Sequence, residues 1–481
     1  MPIHTTGSRN RKPLAVCVAA AFALASPFAM AANTWTVNTC DQGYSGSGLT
    51  GSLRYAATNA ASGDTIDLTG LSCSTISLTT GAIVFAQQDI TLNGPGIANL
   101  NVTGRYKSSI EKDRIFTHNG SGTFAVNNLS VSFGERYLAS GNAQGGCIYS
   151  AGTASLYHVG AHFCAAYTQA SGRAQGGGVY AKTAVDLKYS VVELNSASGP
   201  GNVGGYGGGV YSKNSFLAKY STISGNTAGK ARGFGGGVVV YGSGTITSST
   251  ISGNTAKDNG GGIYAKNFFT SASNTLTIKD STISGNSAGY YTGGVMVNSG
   301  KVYIDNSTIV SNTAAKGRFG SSYPFTYRAP GVATSDAYNA MAVTLQSSLI
   351  ANNTYGSTEY DLSVPKRSST SVTFGGANNL VRATFAAVPT DTIKISCPLL
   401  GPLRNNGGMT QTHALLSHSP GIAKGNNTVN LTWDQRGSPF ARISAAPPGG
   451  TAPTVPDIGA YEVQQNDVIF NNGFDGCPLL F

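Results

Sequence analysis

Charge is scarce in this chain. Only 11% of its 481 residues are Asp, Glu, Lys or Arg, less than half the usual ~25%. Acids are scarcer than bases, 21 against 31, and from Asp186 to Asp361 only eight occur. There is no Asp-Asp pair and no Gly-His-Gly. The clustered carboxylates of a glycoside hydrolase, or acids holding Ca²⁺ beside a strong base as in a lyase, are therefore not written into this stretch. No two cysteines have C-x-x-C spacing, which argues against zinc and thioredoxin chemistry. The histidines beyond the leader (118, 158, 162, 413 and 418) show no metal-ligand spacing. His158 and His162 stand four apart, but a strand does not put such a pair on one helical face. No metal or other cofactor is expected. Long apolar runs are missing too: Leu14–Ala25 is too short to span a bilayer. Although the net charge is +10, no dense Lys/Arg cluster or nucleic-acid motif accompanies it, so nucleic acid is not an expected partner.

What is present is repetition. Gly176-Gly-Gly-Val-Tyr-Ala returns as Gly207-Gly-Gly-Val-Tyr-Ser, Gly235-Gly-Gly-Val-Val-Val and Gly260-Gly-Gly-Ile-Tyr-Ala, with weaker copies at Gly145 and Gly293. The aliphatic residue after the glycines recurs at Ile148, Val179, Val210, Val238, Ile263 and Val295, in steps of 31, 31, 28, 25 and 32 residues. Interleaved with it, Ser221-Thr-Ile-Ser-Gly-Asn recurs from Ser249 and Ser281, and as Ser307-Thr-Ile-Val-Ser-Asn. Short β-branched runs broken by glycine disfavour helices. A unit of this length cannot bury its own apolar face, but stacked units can. The expected fold is all-β: one right-handed parallel β-helix with a short N-terminal capping helix. Asn195, Asn226, Asn254, Asn286 and Asn312 should align as a buried amide ladder.

The chain divides accordingly. Residues 1–31 read as a secretory signal, with Arg9, Arg11 and Lys12 before the apolar run and Ala29-Met-Ala31 at the cleavage site. Residues 32–70 form an N-terminal cap, with a strand at Trp35 and a helix N-capped by Ser52, carrying Leu53, Ala56, Ala57 and Ala60 on one face and stopped by Gly63. Residues 71–390 are the solenoid body of about eleven coils, each rising ~4.8 Å. The insertion Arg318–Gly331 reads as a lid or contact loop. Residues 391–463 should close the far end, where Asp434, Arg436, Arg442, Asp457 and Glu462 could pair, and 464–481 form a tail. Six cysteines outside the leader fit disulfides in an oxidising compartment. Nearness in sequence suggests Cys40–Cys73, Cys147–Cys164 and Cys397–Cys477, out of the fifteen pairings that six cysteines allow.

Three stretches carry resemblances. Gly51-Ser-Leu-Arg-Tyr-Ala-Ala, Gly63-Asp-Thr-Ile-Asp-Leu and Ile90-Thr-Leu-Asn-Gly-Pro-Gly resemble the N-terminal region of bacterial CSLREA β-helix proteins, with Tyr55 where that family has Glu. The glycine and Ser-Thr-Ile phrases are similar to polymorphic outer-membrane-protein repeats and to pectate-lyase-like right-handed β-helices. Leu399-Leu-Gly-Pro-Leu-Arg-Asn-Asn-Gly-Gly-Met, Asp434-Gln-Arg-Gly and Asp457-Ile-Gly-Ala-Tyr-Glu resemble the choice-of-anchor Q domain. The tail from Ile469 is similar to a short motif ending many exported gammaproteobacterial proteins. These resemblances imply a β-helix that is secreted or held on the outer surface of a Gram-negative bacterium, and they imply little about chemistry.

Strand alternation places Val179 and Ala181 inward and Tyr180 and Lys182 outward. Stacking the repeats gives an outward column containing Tyr149, Tyr180, Tyr211 and Tyr264, beside a second with Lys182, Lys213 and Lys266; Lys188, Lys219 and Lys279 form a third. Rings stack on sugars and ammonium groups meet carboxylates, so these residues are the expected binding ridge for an acidic polysaccharide or cell-surface glycan. The expected function is that of a non-catalytic, adhesin-like surface protein. The alternatives are a polysaccharide lyase or hydrolase on the same scaffold, or a purely structural surface protein. Asp280 and Asp305, near one corner of successive coils, are the nearest approach to a carboxylate pair, and turn roles account for both.

Overall fold

The computed structural model describes residue 1 and residues 31–104, 112–201, 204–266, 274–298, 300–315, 329–334, 342–363, 374–384, 386–395, 397–443, 455–464 and 467. Most of the expected leader and most of the 318–331 insertion lie outside them. Among the described residues no helix is long and apolar enough to cross a membrane.

The repeats stack as a parallel β-solenoid, in the register their alignment predicts. One coil runs through strands Val179–Ala181, Ala184–Lys188, Val191–Glu193 and Ser196–Ser198, then the two-residue strand Gly205–Tyr206. Val179 pairs with Val210, Val185 with Phe216, Val192 with Ile223 and Ala197 with Ala228, all in parallel. The glycine-phrase strands form one ten-stranded sheet, so the stack has about ten turns. Val179, Val185, Val192, Val210, Phe216 and Ile223 all belong to one continuous apolar core.

Two left-handed corners bend each coil. The first holds His158, Tyr189, Tyr220, Ser248, Asp280, Asn306 and Ser347; the second holds Phe133, Phe163, Leu194, Ser311 and Asn352, all with φ between 44° and 59°. Gly225, Gly253 and Gly285 take the second corner where it is glycine. In Gly207-Gly-Gly each glycine has its own reason. Gly207 has φ +66°; a Cβ on Gly208 would lie 2.4 Å from Gly236 O; one on Gly209 would lie 2.9 Å from the Asn226 amide. The asparagine ladder is present. Each Nδ2 donates to the Oδ1 of the next coil, from Asn195 through Asn226, Asn254, Asn286 and Asn312 to Asn353, and Asn353 donates to Asp361.

The N-terminal helix spans Leu53–Asn59, with Ser52 as N-cap accepting from Tyr55 N. It ends at a C-cap on Ala60, three residues before the expected Gly63, where Gln87 Nε2 donates to Ala57 O and Ala60 O and satisfies these last carbonyls. Disulfides join Cys40 to Cys73 and Cys147 to Cys164. Cys397 is also disulfide-bonded; its expected partner, Cys477, lies outside the described residues.

At the start of the region expected to close the far end, Ile393 bridges to Leu380 in parallel. The described residues from Leu400 to Gln464 turn back as a strap along the flank of the coils. Gln435 joins Thr250 and Thr282, His413 joins Ser284, and Ala460 N donates to Thr308 Oγ1. Leu400, Leu415 and Ile458 pack on Val310, Leu349 and Leu380. The side chains that the Ser-Thr-Ile phrase turns outward are thus the strap's seat. Within it lies the ion pair Arg436–Asp434 at 2.8 Å, and on its underside Arg442 meets Asp280 of the coils at 3.8 Å.

Glu462 joins this cluster, accepting from Asp457 N at 2.8 Å. Burial, then the Asp457 charge, pushes its carboxyl from the usual 4.5 up to about 9. The folded chain therefore keeps a proton that the unfolded chain loses, and stability should fall as pH rises between those two values, then level off. The slope is at most about 1.4 kcal/mol per pH unit. Glu462→Gln keeps the acceptor and removes the titration. Urea midpoints for this variant should decline less than wild type from pH 5 to pH 9, and an identical decline would show that Glu462 carries no such proton.

Candidate functional site

The tyrosines expected to face solvent are covered. Tyr180, Tyr211 and Tyr264 are 2%, 4% and 5% exposed, and Tyr149 is half-buried. They do stack, Tyr149 on Tyr180 with centroids 5.4 Å apart and Tyr180 on Tyr211 at 5.3 Å. The cover comes from the segment that returns each coil to its glycine phrase. Its two-residue strands form a four-stranded sheet, and Tyr206 and Phe234 from it pack on the ladder as a second core. Phe234 meets Tyr264 at 5.0 Å. Desolvation raises all three phenols, that of Tyr180 to about 12. Alternation assigns that side of the strand to water; a further layer occupies it. Lys182 and Lys213 remain exposed, while Lys266 is half-buried and its pKa is lowered by desolvation.

A different face carries rings in the open. It is the short three-residue strand and its two corners, in the coils that precede the strap. Along the first corner Tyr157, His158, Tyr189 and Tyr220 form a ladder: Tyr157 to Tyr189 at 5.6 Å, His158 to Tyr189 at 5.0 Å, Tyr189 to Tyr220 at 5.2 Å. Tyr157 is 42% exposed. Lys188 and Lys219, the residues just before the corner, are exposed, and Lys219 Nζ lies 5.5 Å from the Tyr220 ring centre. Along the second corner stand Phe133, Phe163 and Leu194, with Phe133 and Phe163 stacked at 5.2 Å and nearly parallel. The floor between is made of Ser132, His162, Glu193, Thr222 and Ser224. His162 Nδ1 and Glu193 Oε1 are 3.1 Å apart. Asp186, half-buried on the wall beside Lys188, has its pKa raised by desolvation, with Lys188 opposing.

The same face is filled further along. From Ser248 on, the first corner is under the strap: Thr410 Oγ1 donates to Ser248 O, Asn306 Nδ2 to Asn426 O, and Lys279 Nζ to Val429 O. Gly437 marks the boundary, since a Cβ there would stand 3.5 Å from the Tyr220 ring. Asp280 is buried beneath the strap beside Arg442, and Asp305 is nine-tenths buried, so this carboxylate pair does not open to solvent. Among the described residues no group of three or more His, Cys, Asp or Glu is placed to hold a metal ion.

No family model matches the chain, and no curated protein is significantly similar to it. Among solved structures, pectate lyase Pel9A aligns at TM-score 0.44 and 13% identity, covering 90% of this chain and 97% of its own. The PL6 family alginate lyase AlyGC aligns at TM-score 0.31 and 12% identity, covering 86% and 61%.

Proposed function

We propose that the protein is an exported, surface-associated β-solenoid that binds an acidic polysaccharide without catalysing a reaction on it. The observation that carries this reading is the aromatic and lysine ladder of Tyr157, Tyr189, Tyr220, Lys188 and Lys219 beside the edge of the strap, with Tyr157 and both lysines exposed and Tyr189 and Tyr220 half-buried. Sugar C–H faces stack on rings, and ammonium groups attract carboxylates along the polymer. A solenoid repeats such a contact once per coil, which suits a long chain laid along its axis.

Affinity electrophoresis of the full exported chain through gels containing polygalacturonate tests it. Retardation should be strong in that polymer, weak in neutral dextran, and reduced by salt. Tyr157→Ala with Tyr189→Asn should weaken binding about tenfold, ~1.4 kcal/mol, at an unchanged melting temperature. Asparagine is chosen because this corner already holds it at Asn128, Asn306 and Asn378. Retardation unaffected by the double change would remove the ladder from the site, and appearance of unsaturated product would replace binding with lyase activity.

A further inference from the structure

The Phe133–Phe163–Leu194 edge is not explained by folding. These three side chains occupy a left-handed corner, with φ of 54°, 55° and 57°. Bulky residues are uncommon there, and the same corner is filled elsewhere by Gly225, Gly253, Gly285, Ser311 and Asn352. Nor are they core: Phe133 is 55% exposed, and Phe163 and Leu194 are each 49% exposed. Consecutive exposed apolar side chains of this kind mark an interaction surface. They run parallel to the lysine-bearing edge, one short strand away, and the face they border is the one the strap occupies further along.

Resting on the glycan reading above, we infer that this edge reads apolar substituents of the polymer. The ligand is then an acidic polysaccharide in which part of the carboxylates are masked as methyl esters. Free carboxylates face Lys188 and Lys219, and the ester methyls lie against Phe133, Phe163 and Leu194. Charge complementarity favours this occupant over a purely apolar one. Two carboxylates share this face, Glu193 against His162 and Asp186 half-buried beside Lys188, but the coil that carries Lys219 has no acid, since none occurs between Glu193 and Asp258.

The test compares polygalacturonate with the same polymer methyl-esterified at about half of its carboxylates, using the full chain and titration calorimetry. The half-esterified polymer should bind about tenfold tighter. Phe133→Ser with Phe163→Asn should erase that gain and leave affinity for polygalacturonate unchanged, which also shows that the variant is folded. Lys188→Gln with Lys219→Gln should weaken binding to both polymers. Equal affinity for the two polymers, or a gain that survives the phenylalanine changes, overturns the inference while leaving the glycan reading in place. Binding to neither polymer overturns the glycan reading itself. Concentration-dependent self-association that disappears in the phenylalanine variant would assign the edge to a second copy of this chain and would also overturn the inference.

Discussion

Replacing Arg436 with methionine should destabilise the strap by about 3–5 kcal/mol. The arginine side chain is fully buried. Its guanidinium lies 3.9 Å from the ring centres of both Phe440 and Tyr461. Nε and Nη2 grip Asp434 at 3.0 and 2.8 Å, Nη2 also donates to Glu462 O at 2.6 Å, and Nη1 reaches Asp467 at 3.2 Å. Methionine fills a similar space and keeps ring contacts, so cavity formation contributes little. What remains is the Asp434 carboxylate, buried, with only the backbone N–H groups of Arg436 and Glu462 for partners among the described residues. Lysine should be a poor rescue, because it cannot reproduce the two-pronged contact or lie flat between two rings. Asp434→Asn combined with the methionine should recover part of the loss, since it removes the stranded charge. Denaturant unfolding together with limited proteolysis of the strap measures both effects. A single variant within 1 kcal/mol of wild type would mean that the buried pair holds nothing in place.

The body of the fold is legible because one rule governs every coil. A solenoid converts sequence period into spatial register, so the residue that follows each glycine triplet, the Ser-Thr-Ile phrase and the asparagine all land on their own copies. The Cys40–Cys73 and Cys147–Cys164 bridges are readable for the same reason that local contacts usually are. The candidate site is not. Alternation says which side of a strand is outward, but not whether outward means water. Tyr180 and Tyr211 point away from the main core and are still enclosed, because a two-residue strand such as Gly205–Tyr206 leaves no periodic signal of its own. The path of the strap is hidden for a related reason. Its partners Thr250, Thr282 and Thr308 look like ordinary strand residues, and nothing in one sequence says that another segment will seat on them. One signal in the sequence does mark it. The first corner is small or polar at Ser248, Asp280, Asn306 and Ser347 yet aromatic at Tyr189 and Tyr220, a change of character that coincides with the edge of the strap.

The second large effect is expected at Asn254, in the middle of the amide ladder. Its Oδ1 accepts from Asn226 N at 3.0 Å and from Asn226 Nδ2 at 2.9 Å, while its own Nδ2 donates to Ile223 O and Asn286 Oδ1, each at 2.9 Å. Asn254→Leu leaves two donors and a carbonyl of this set without that partner in a water-free interior, and stranded groups cost about 1–3 kcal/mol each. It also forces a branched side chain under Gly237, where a Cβ would already stand 3.1 Å from the amide. A loss of about 4 kcal/mol follows, against less than about 0.5 kcal/mol for Thr255→Ala on the exposed neighbour. Asn254→Asp is the sharper experiment. It is isosteric, but an oxygen then faces Ile223 O and Asn286 Oδ1, acceptor against acceptor. The variant should be badly destabilised at neutral pH and should recover as the pH falls and the acid becomes a donor. The ladder itself shows why an acid is tolerated at only one position. Each ladder amide donates one N–H forward to the next Oδ1 toward the C-terminal end and the other back to a backbone carbonyl of an earlier coil, as Asn254 does to Ile223 O, whereas the last member has no further amide ahead of it and serves as acceptor. Asp361 stands there, taking Asn353 N, Asn353 Nδ2 and Ala383 N, with its pKa raised to about 7 chiefly by burial. If the Asn254→Asp variant unfolds with the same midpoint at pH 5 and pH 8, the direction of donation along the ladder is not what sets that preference.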